Sequence, residues 1–205
     1  MEEVAVPRQV DHERRRTEIA TALWRVAAAK GLDKVSLRDV AKEAGISLGQ
    51  LQHYFSSRDE MLLFAMEFIG RKNVERVAAR MMTLDDPQPR ARLKAIVMEM
   101  LPVEEKAEAG SLMNISFRLE AARNTALRDY ARQQVIGLRG VLEGAIALAI
   151  QSGDIASDRD PRTEAALLVA LADGLRSDFH LGVHTGPQTV ALMESHLDRL
   201  FTAEG

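Results

Sequence analysis

Between Ser47 and Tyr54 the chain places short polar and flat side chains around one inward apolar residue: Ser47, Gln50, Gln52 and His53 surround Leu51. Side chains of these kinds can read base edges. A glutamine matches the paired acceptor and donor of adenine in the major groove, and an apolar side chain such as Leu48 fits the thymine methyl group. With Leu51 turned inward, helical spacing puts Leu48, Gln52 and the Gly49–Gln50 edge on the outer side. Gly49, having no Cβ, lets a partner approach the backbone. Ser36 and Arg38 stand at one expected helix start and Arg58 at another, where amide N–H groups and cations hold phosphate. Arg14, Arg15 and Arg16 form a basic start that either follows a nucleic-acid backbone or is an ordinary solvated end.

Other chemistries find less support. Asp178, His180 and His184 are the one grouping with metal-ligand character, but H-E-x-x-H is absent. Neither a P-loop nor G-x-G-x-x-G occurs, so no enzyme, no metal and no cofactor is expected. Met98, Met100, Met113, Phe117, Val135, Leu138 and Phe179 suit an adaptable apolar cavity, since methionine is flexible and polarisable. A methionine stripe at helical spacing serves equally as plain core. Asn114, Arg118, Gln134 and Asp178 are the polar handles such a cavity could offer a ligand.

The elements that must position these groups read as helices throughout. One runs from about Val10 to Lys30 on Ile19, Leu23, Val26 and Ala27, with Gly31 as its stop. Ser36 and Asp39 form a capping-box pair that opens a short helix carrying Leu37, Val40, Ala41 and Ala44 inward. Gly45 permits the positive φ of a tight turn, Ile46 plugs it, and Ser47 caps a second short helix over Leu48–Tyr54. Ser57 with Glu60 opens the next, on Met61, Leu62, Phe64, Ala65, Phe68 and Ile69. A break at Asp85-Asp86-Pro87 and Pro89 follows, and then helices over 93–101, 111–123 and 125–152. Gly153-Asp154 ends the last of these. Pro161 starts another running to about Leu181 on Leu168, Leu171, Ala172, Leu175 and Phe179. After a turn at Gly186-Pro187, a final helix carries Val190, Met193, Leu197, Leu200 and Phe201. The expected architecture is all-α, about nine helices, with a helix-turn-helix domain at 10–56 and a helical bundle at 57–205.

Composition agrees. The chain has 205 residues, 46% apolar and 4% aromatic, and its wealth of Ala, Leu, Arg, Glu and Met favours helix over sheet. Without cysteine it holds no disulfide or thiolate metal site, and a cytoplasmic protein with no membrane partner is expected. Net charge is −3, but residues 11–58 carry nine Lys/Arg against six Asp/Glu, a mild polarity that permits a nucleic-acid-binding end. Trp24 is expected inside the first domain.

The run from Thr17 to Ile69 closely resembles the DNA-binding domain of the TetR family. It holds G-L-D-K-V-S-L-R-D-V-A-K-E-A-G-I-S and then L-G-Q-L-Q-H-Y-F-S-S-R-D-E-M-L. The resemblance assigns Tyr54 to a phosphate and Gln52-His53 to a variable readout position; Arg58 stands where the family usually has lysine. S-F-R-L-E-A-A-R-N-T-A-L-R and A-L-L-V-A-L-A-D-G-L are similar to the ligand-binding bundle of betaine-pathway repressors. What the resemblance implies is a homodimer built from the last two helices, bound to a palindromic operator on double-stranded DNA. A small, mostly apolar effector would release it. Choline is disfavoured, because a quaternary ammonium wants an aromatic cage and Tyr130 is the bundle's one tyrosine.

Overall fold

The structure, a computed structural model, describes residues 8–84, 88–102 and 105–201. Among these it holds nine α-helices, one 3₁₀ turn and no strand. The helices are α1 (Arg8–Lys30), α2 (Leu37–Glu43), α3 (Leu48–Tyr54), α4 (Arg58–Met82), α5 (Pro89–Met98), α6 (Glu105–Ala121), α7 (Thr125–Gln151), α8 (Pro161–His180) and α9 (Gly186–Leu200). Residues 85–87 of the expected break lie outside the described residues. Several boundaries differ from expectation: α5 and α6 start earlier and end earlier than 93–101 and 111–123, with Pro89 opening α5 instead of lying in the break. A 3₁₀ turn, Leu32–Lys34, separates α1 from α2, and Gly186-Pro187 begin α9 rather than precede it. Thr185 caps α9, and proline is tolerated there because a first-turn N–H makes no intrahelical bond to lose.

The chain divides into two compact units, Met1–Arg71 with Ser116–Tyr130 and Lys72–Ile115 with Ala131–Gly205. This line differs from the expected boundary at 56/57. The start of α4 and the α6–α7 turn stay with the first unit because they bond to each other, as described below.

In the first unit, Ile19, Ala20 and Leu23 of α1, Val40 of α2, Leu51 of α3 and Met61 of α4 are fully buried, with Phe55 beside them. Arg16 lies over two rings of this core, its guanidinium carbon 4.7 Å from the Phe55 centroid and 4.3 Å from that of Phe64, with its Nη2 3.5 Å from Glu60 Oε1. Of the basic start, Arg16 therefore packs inward, while Arg14 and Arg15 pair with Glu18 at the surface. Trp24 is half-buried, its indole N–H enclosed.

In the second unit, Leu93, Val97, Leu142, Ile146, Leu168, Ala172, Met193 and Leu197 form one core cluster of α5, α7, α8 and α9. Glu99, at the end of α5, accepts from Arg76 Nε at 2.7 Å and Arg80 Nη2 at 2.8 Å, which fastens the second half of α4. Lys94 and Arg90 of α5 pair with Glu194 and Asp198 of α9.

The caps explain why the short helices hold. At α2 the Ser36 hydroxyl accepts from Asp39 N–H at 3.3 Å and the Asp39 carboxylate accepts from Ser36 N–H at 3.0 Å. Lys30 reaches the same carboxylate. Hydrogen bonding, from Lys30 foremost and then from Ser36, holds the Asp39 carboxyl down to about 2. A carboxyl depressed in the folded state stabilises it above the ordinary value of 3.8, and that contribution fades as pH falls toward 2. Asp39→Asn is therefore expected to lower the urea midpoint at pH 6. The gap from the parent should close between pH 4 and 2, and a gap independent of pH would contradict the assignment.

Candidate nucleic-acid interface

The turn between α2 and α3 is closed by backbone alone. Gly45 takes φ 67°, its N–H donates to Lys42 O at 3.2 Å, and Ile46 N–H donates to Ala41 O at 3.0 Å. This pair of bonds ends a helix in a left-handed residue and re-aims the chain. Ser47 then caps α3: its hydroxyl accepts from Gln50 N–H at 3.1 Å, and Gln50 Oε1 accepts from Ser47 N–H at 3.0 Å. Leu51 is fully buried, which fixes the rotation of α3.

The outer side then carries the residues expected there. Ser36, Arg38, Ser47, Gly49, Gln50, Gln52 and His53 are exposed, and Leu48 and Tyr54 are half-exposed. A Cβ on Gly49 would meet only Ser47 Oγ, at 4.0 Å, so the chain's own packing does not require glycine there. It leaves bare backbone on the reading face. Gln50 differs from Gln52 in having its carbonyl engaged in the cap. Two-point recognition of adenine by Gln50 would cost that bond, whereas among the described residues no such bond holds the Gln52 amide.

Sequence reasoning missed His12. Its ring lies 4.9 Å from that of Tyr54 and 6.4 Å from that of His53, and His53 meets Tyr54 edge-on at 5.5 Å. The end of α3 and the start of α1 thus share one aromatic cluster. His12 stands four residues before Arg16, on a stretch where only the arginines carried an obvious signal.

Arg58 departs most from the expectation of a phosphate contact. Nε donates to Val35 O at 2.9 Å, Nη2 to Leu32 O at 2.7 Å and Nη1 to Glu120 Oε1 at 2.8 Å. The two side chains are 24% and 26% exposed. Every nitrogen of the guanidinium is turned into its own unit, so Arg58 braces the loop before α2 instead of facing outward. Next to it, Asn124 Nδ2 donates to Asp59 Oδ2 at 2.8 Å. The box expected at Ser57–Glu60 is also redrawn. Ser57 Oγ accepts from Glu60 N–H at 3.1 Å, but the Glu60 carboxylate reaches back to Ser56, its N–H at 2.8 Å and hydroxyl at 2.7 Å. These bonds hold the Glu60 carboxyl below its usual range.

The expected ligand residues scatter. Met98 belongs to the core of the second unit, with Leu138 packed against it, and Met113 is buried. Val135 is half-buried and Gln134 exposed, so Gln134 lines no interior of this chain. Phe117 lies in the first unit, its ring edge-on to Tyr130 at 5.9 Å; burial, with Glu67 adding, pushes the Tyr130 phenol up to about 12. Asp178 faces His184 at 3.7 Å and Phe179 stacks edge-on to His180 at 5.4 Å. His180 Nε2 turns to Ser111 Oγ at 3.0 Å, so the two histidines hold different partners. Burial lowers the His180 pKa. The polar centre that sequence reasoning missed is Arg176, 7% exposed. It donates from Nε and Nη2 to Met100 O at 3.1 and 2.8 Å and from Nη1 to Asn114 Oδ1 at 2.9 Å.

An all-helical chain whose capped turn presents a polar helix face from a rigid core is a helix-turn-helix protein. Comparison with known proteins narrows this. Residues 19–64 match the family of bacterial regulatory proteins, tetR family, and residues 89–202 match the BetI-type transcriptional repressor, C-terminal domain. The HTH-type transcriptional regulator PksA of Bacillus subtilis (strain 168) is 35% identical over 170 residues, 83% of this chain and 80% of its own. A transcriptional regulator from Rhodococcus sp. Rha1 superposes with a TM-score of 0.79 at 28% identity, covering 90% of this chain and 95% of its own. A transcriptional regulator from Saccharomonospora viridis, solved in complex with choline, gives 0.80 at 24% identity over 94% of this chain and 97% of its own. The chain belongs to the TetR family of transcriptional regulators, with a BetI-type C-terminal domain, and is not an enzyme. Regulators of this family bind DNA and small-molecule ligands.

Arg58→Ala removes a half-buried charged donor from three acceptors and is expected to cost about 2 kcal/mol of unfolding free energy. In a double-mutant cycle with Glu120→Ala, denaturant unfolding should show a coupling of about 1 kcal/mol or more; strict additivity would contradict the ion pair.

Proposed function

We propose that this regulator is a repressor that holds a palindromic operator as a homodimer and releases it when a small, mostly apolar molecule binds the C-terminal domain. The observation that carries the reading is the state of α3: capped at Ser47, anchored by buried Leu51, and presenting Leu48, Gly49, Gln52 and His53 outward. In this reading Gln52 and His53 meet base edges, Leu48 meets a thymine methyl, and Gly49 admits the close approach. Gln50 holds the cap and touches the groove's rim. Ser36, Arg38, Ser47 and Tyr54 meet phosphates, with His12 packed against Tyr54. Arg58 acts as a positioning residue.

Dimerisation through α8 and α9 is supported by Leu167, 51% exposed, and Leu192, 42% exposed. A two-fold axis there would set two reading helices about 34–36 Å apart, one turn of DNA. The effector reading rests on chemistry. Phe117 and Tyr130 meet edge-on and, with Trp24, fall in the first unit, which leaves too few aromatic faces in the second for a quaternary ammonium. An apolar body with one polar group suits the methionines better.

Release follows if the effector favours an arrangement in which α3 cannot meet the groove, since equal affinity for both arrangements shifts nothing. The link runs through α4. Its first residue holds the carbonyls of Leu32 and Val35 on one side and Glu120 of α6 on the other.

Operator selection from genomic fragments with purified protein tests this. Wild type should enrich one palindromic motif, and Gln52→Ala with Tyr54→Ala should lose it; no enriched motif from wild type overturns the reading. Gln52→Ala alone is expected to relax one base position per half-site by about 1–3 kcal/mol. Gln50→Ala should mainly weaken binding to all sequences by loosening the cap.

A further inference from the structure

The start of α1 brings a titratable ring to the end of the reading helix. His12 is exposed, yet its ring lies 4.9 Å from that of Tyr54 and tilts 39° to it. His53 closes the group from α3, 6.4 Å from His12 and edge-on to Tyr54 at 5.5 Å. The arginines that follow have acidic partners. Arg14 and Arg15 pair with Glu18, and Arg16 turns inward over Phe55 and Phe64 toward Glu60. His12 instead packs on α3.

The charged and titratable groups around His12 come from three helices. On α1 they are Glu13, Arg15 and Arg16, and on α3 His53 and Tyr54. From α4, Glu60 and Arg71 reach this end through Arg16 and Glu13. Glu13 and Glu60 each face an arginine already, so an anion brought from outside is the one His12 can charge against. Histidine is the side chain that changes charge between about pH 5 and 8, and a phosphate beside the ring favours the charged form.

We propose, on the reading that Tyr54 meets a phosphate, that His12 is a proton-dependent phosphate contact. Stacked on Tyr54, it takes up a proton as the protein binds DNA and holds the same backbone strand. The His53 ring, 6.4 Å away, opposes a second charge, so the uptake is about one proton rather than two. Proton uptake and DNA binding are linked reciprocally. Affinity is therefore high at pH 6 and falls toward pH 8, by about fivefold if the complex prefers the charged ring by about tenfold.

The test measures binding of the full-length protein by fluorescence anisotropy at pH 6, 7 and 8 and one salt concentration, on the selected operator and on a scrambled duplex. His12→Phe keeps a ring against Tyr54 and should lose about fivefold of the wild-type gain between pH 8 and pH 6. His12→Lys is charged throughout. It should show the same reduced pH dependence, yet at pH 8 bind about fivefold or more tightly than His12→Phe. Far-ultraviolet circular dichroism should be unchanged in both. A stacking role alone would leave the pH profile of His12→Phe at that of wild type, and this result overturns the proposal. So does His12→Lys binding no more tightly at pH 8 than His12→Phe. Phosphates carry no sequence information, so the effect belongs to both duplexes. A protein that prefers its operator but shows no His12-dependent pH profile overturns this proposal and leaves the repressor reading standing. A His12-dependent profile with no preference between the duplexes does the reverse.

Discussion

One guanidinium does much of the organising in this protein. Arg58 opens α4 and spends its three nitrogens on the carbonyls of Leu32 and Val35 and on the carboxylate of Glu120. The carbonyls belong to the short turn from which α2 departs, so the angle at which the reading helix leaves the core depends on them. A lysine would supply one point of charge, whereas the planar fork of arginine fits several acceptors at once. The neighbouring Asp59–Asn124 bond repeats the tie. Both join the start of α4 to the α6–α7 turn, which is why residues 116–130 fold as part of the DNA-binding unit.

Around that brace the local devices are inexpensive and mutually consistent. The α2 and α3 helices have seven residues each, too short to persist alone in water. Each is held by a box at its start, and the turn between them by backbone bonds that only a left-handed residue permits. Leu51 fixes the rotation of α3 from inside, which leaves the outer residues free to suit an operator. On the proposed reading, affinity and specificity reside in side chains whose replacement leaves the core intact.

Local features were the legible ones. The span of α3, the box at Ser36–Asp39, the positive φ of Gly45 and the inward Leu51 all follow from residue type and spacing within a few positions, and the structure contains each. What escaped depends on partners far along the chain. Arg58 reads as a phosphate-holding cation, and Arg16 as part of a basic start either following a backbone or merely solvated, because charge is visible in a sequence and burial is not. Glu120 stands 62 residues from Arg58, and no local period links them. In sequence Gln50 reads only as a groove-facing side chain, and the geometry engages its carbonyl in the cap. Phe117 and Gln134 fall in different units, since helical period alone does not say which neighbour a face meets. Arg176, buried against the carbonyl of Met100, gave no signal at all.

The measurement that tests the organising role of Arg58 most directly is the salt dependence of binding to the selected operator and to scrambled duplex, for wild type, Arg38→Ala and Arg58→Ala. If Arg58 braces α3 from inside, its loss lowers operator affinity while the salt slope on both duplexes stays at the wild-type value. Arg38→Ala, which on the proposed reading loses a phosphate contact, should reduce the slope by about one. A slope reduced by about one in Arg58→Ala, with operator preference kept, would place that guanidinium on the DNA and contradict the account.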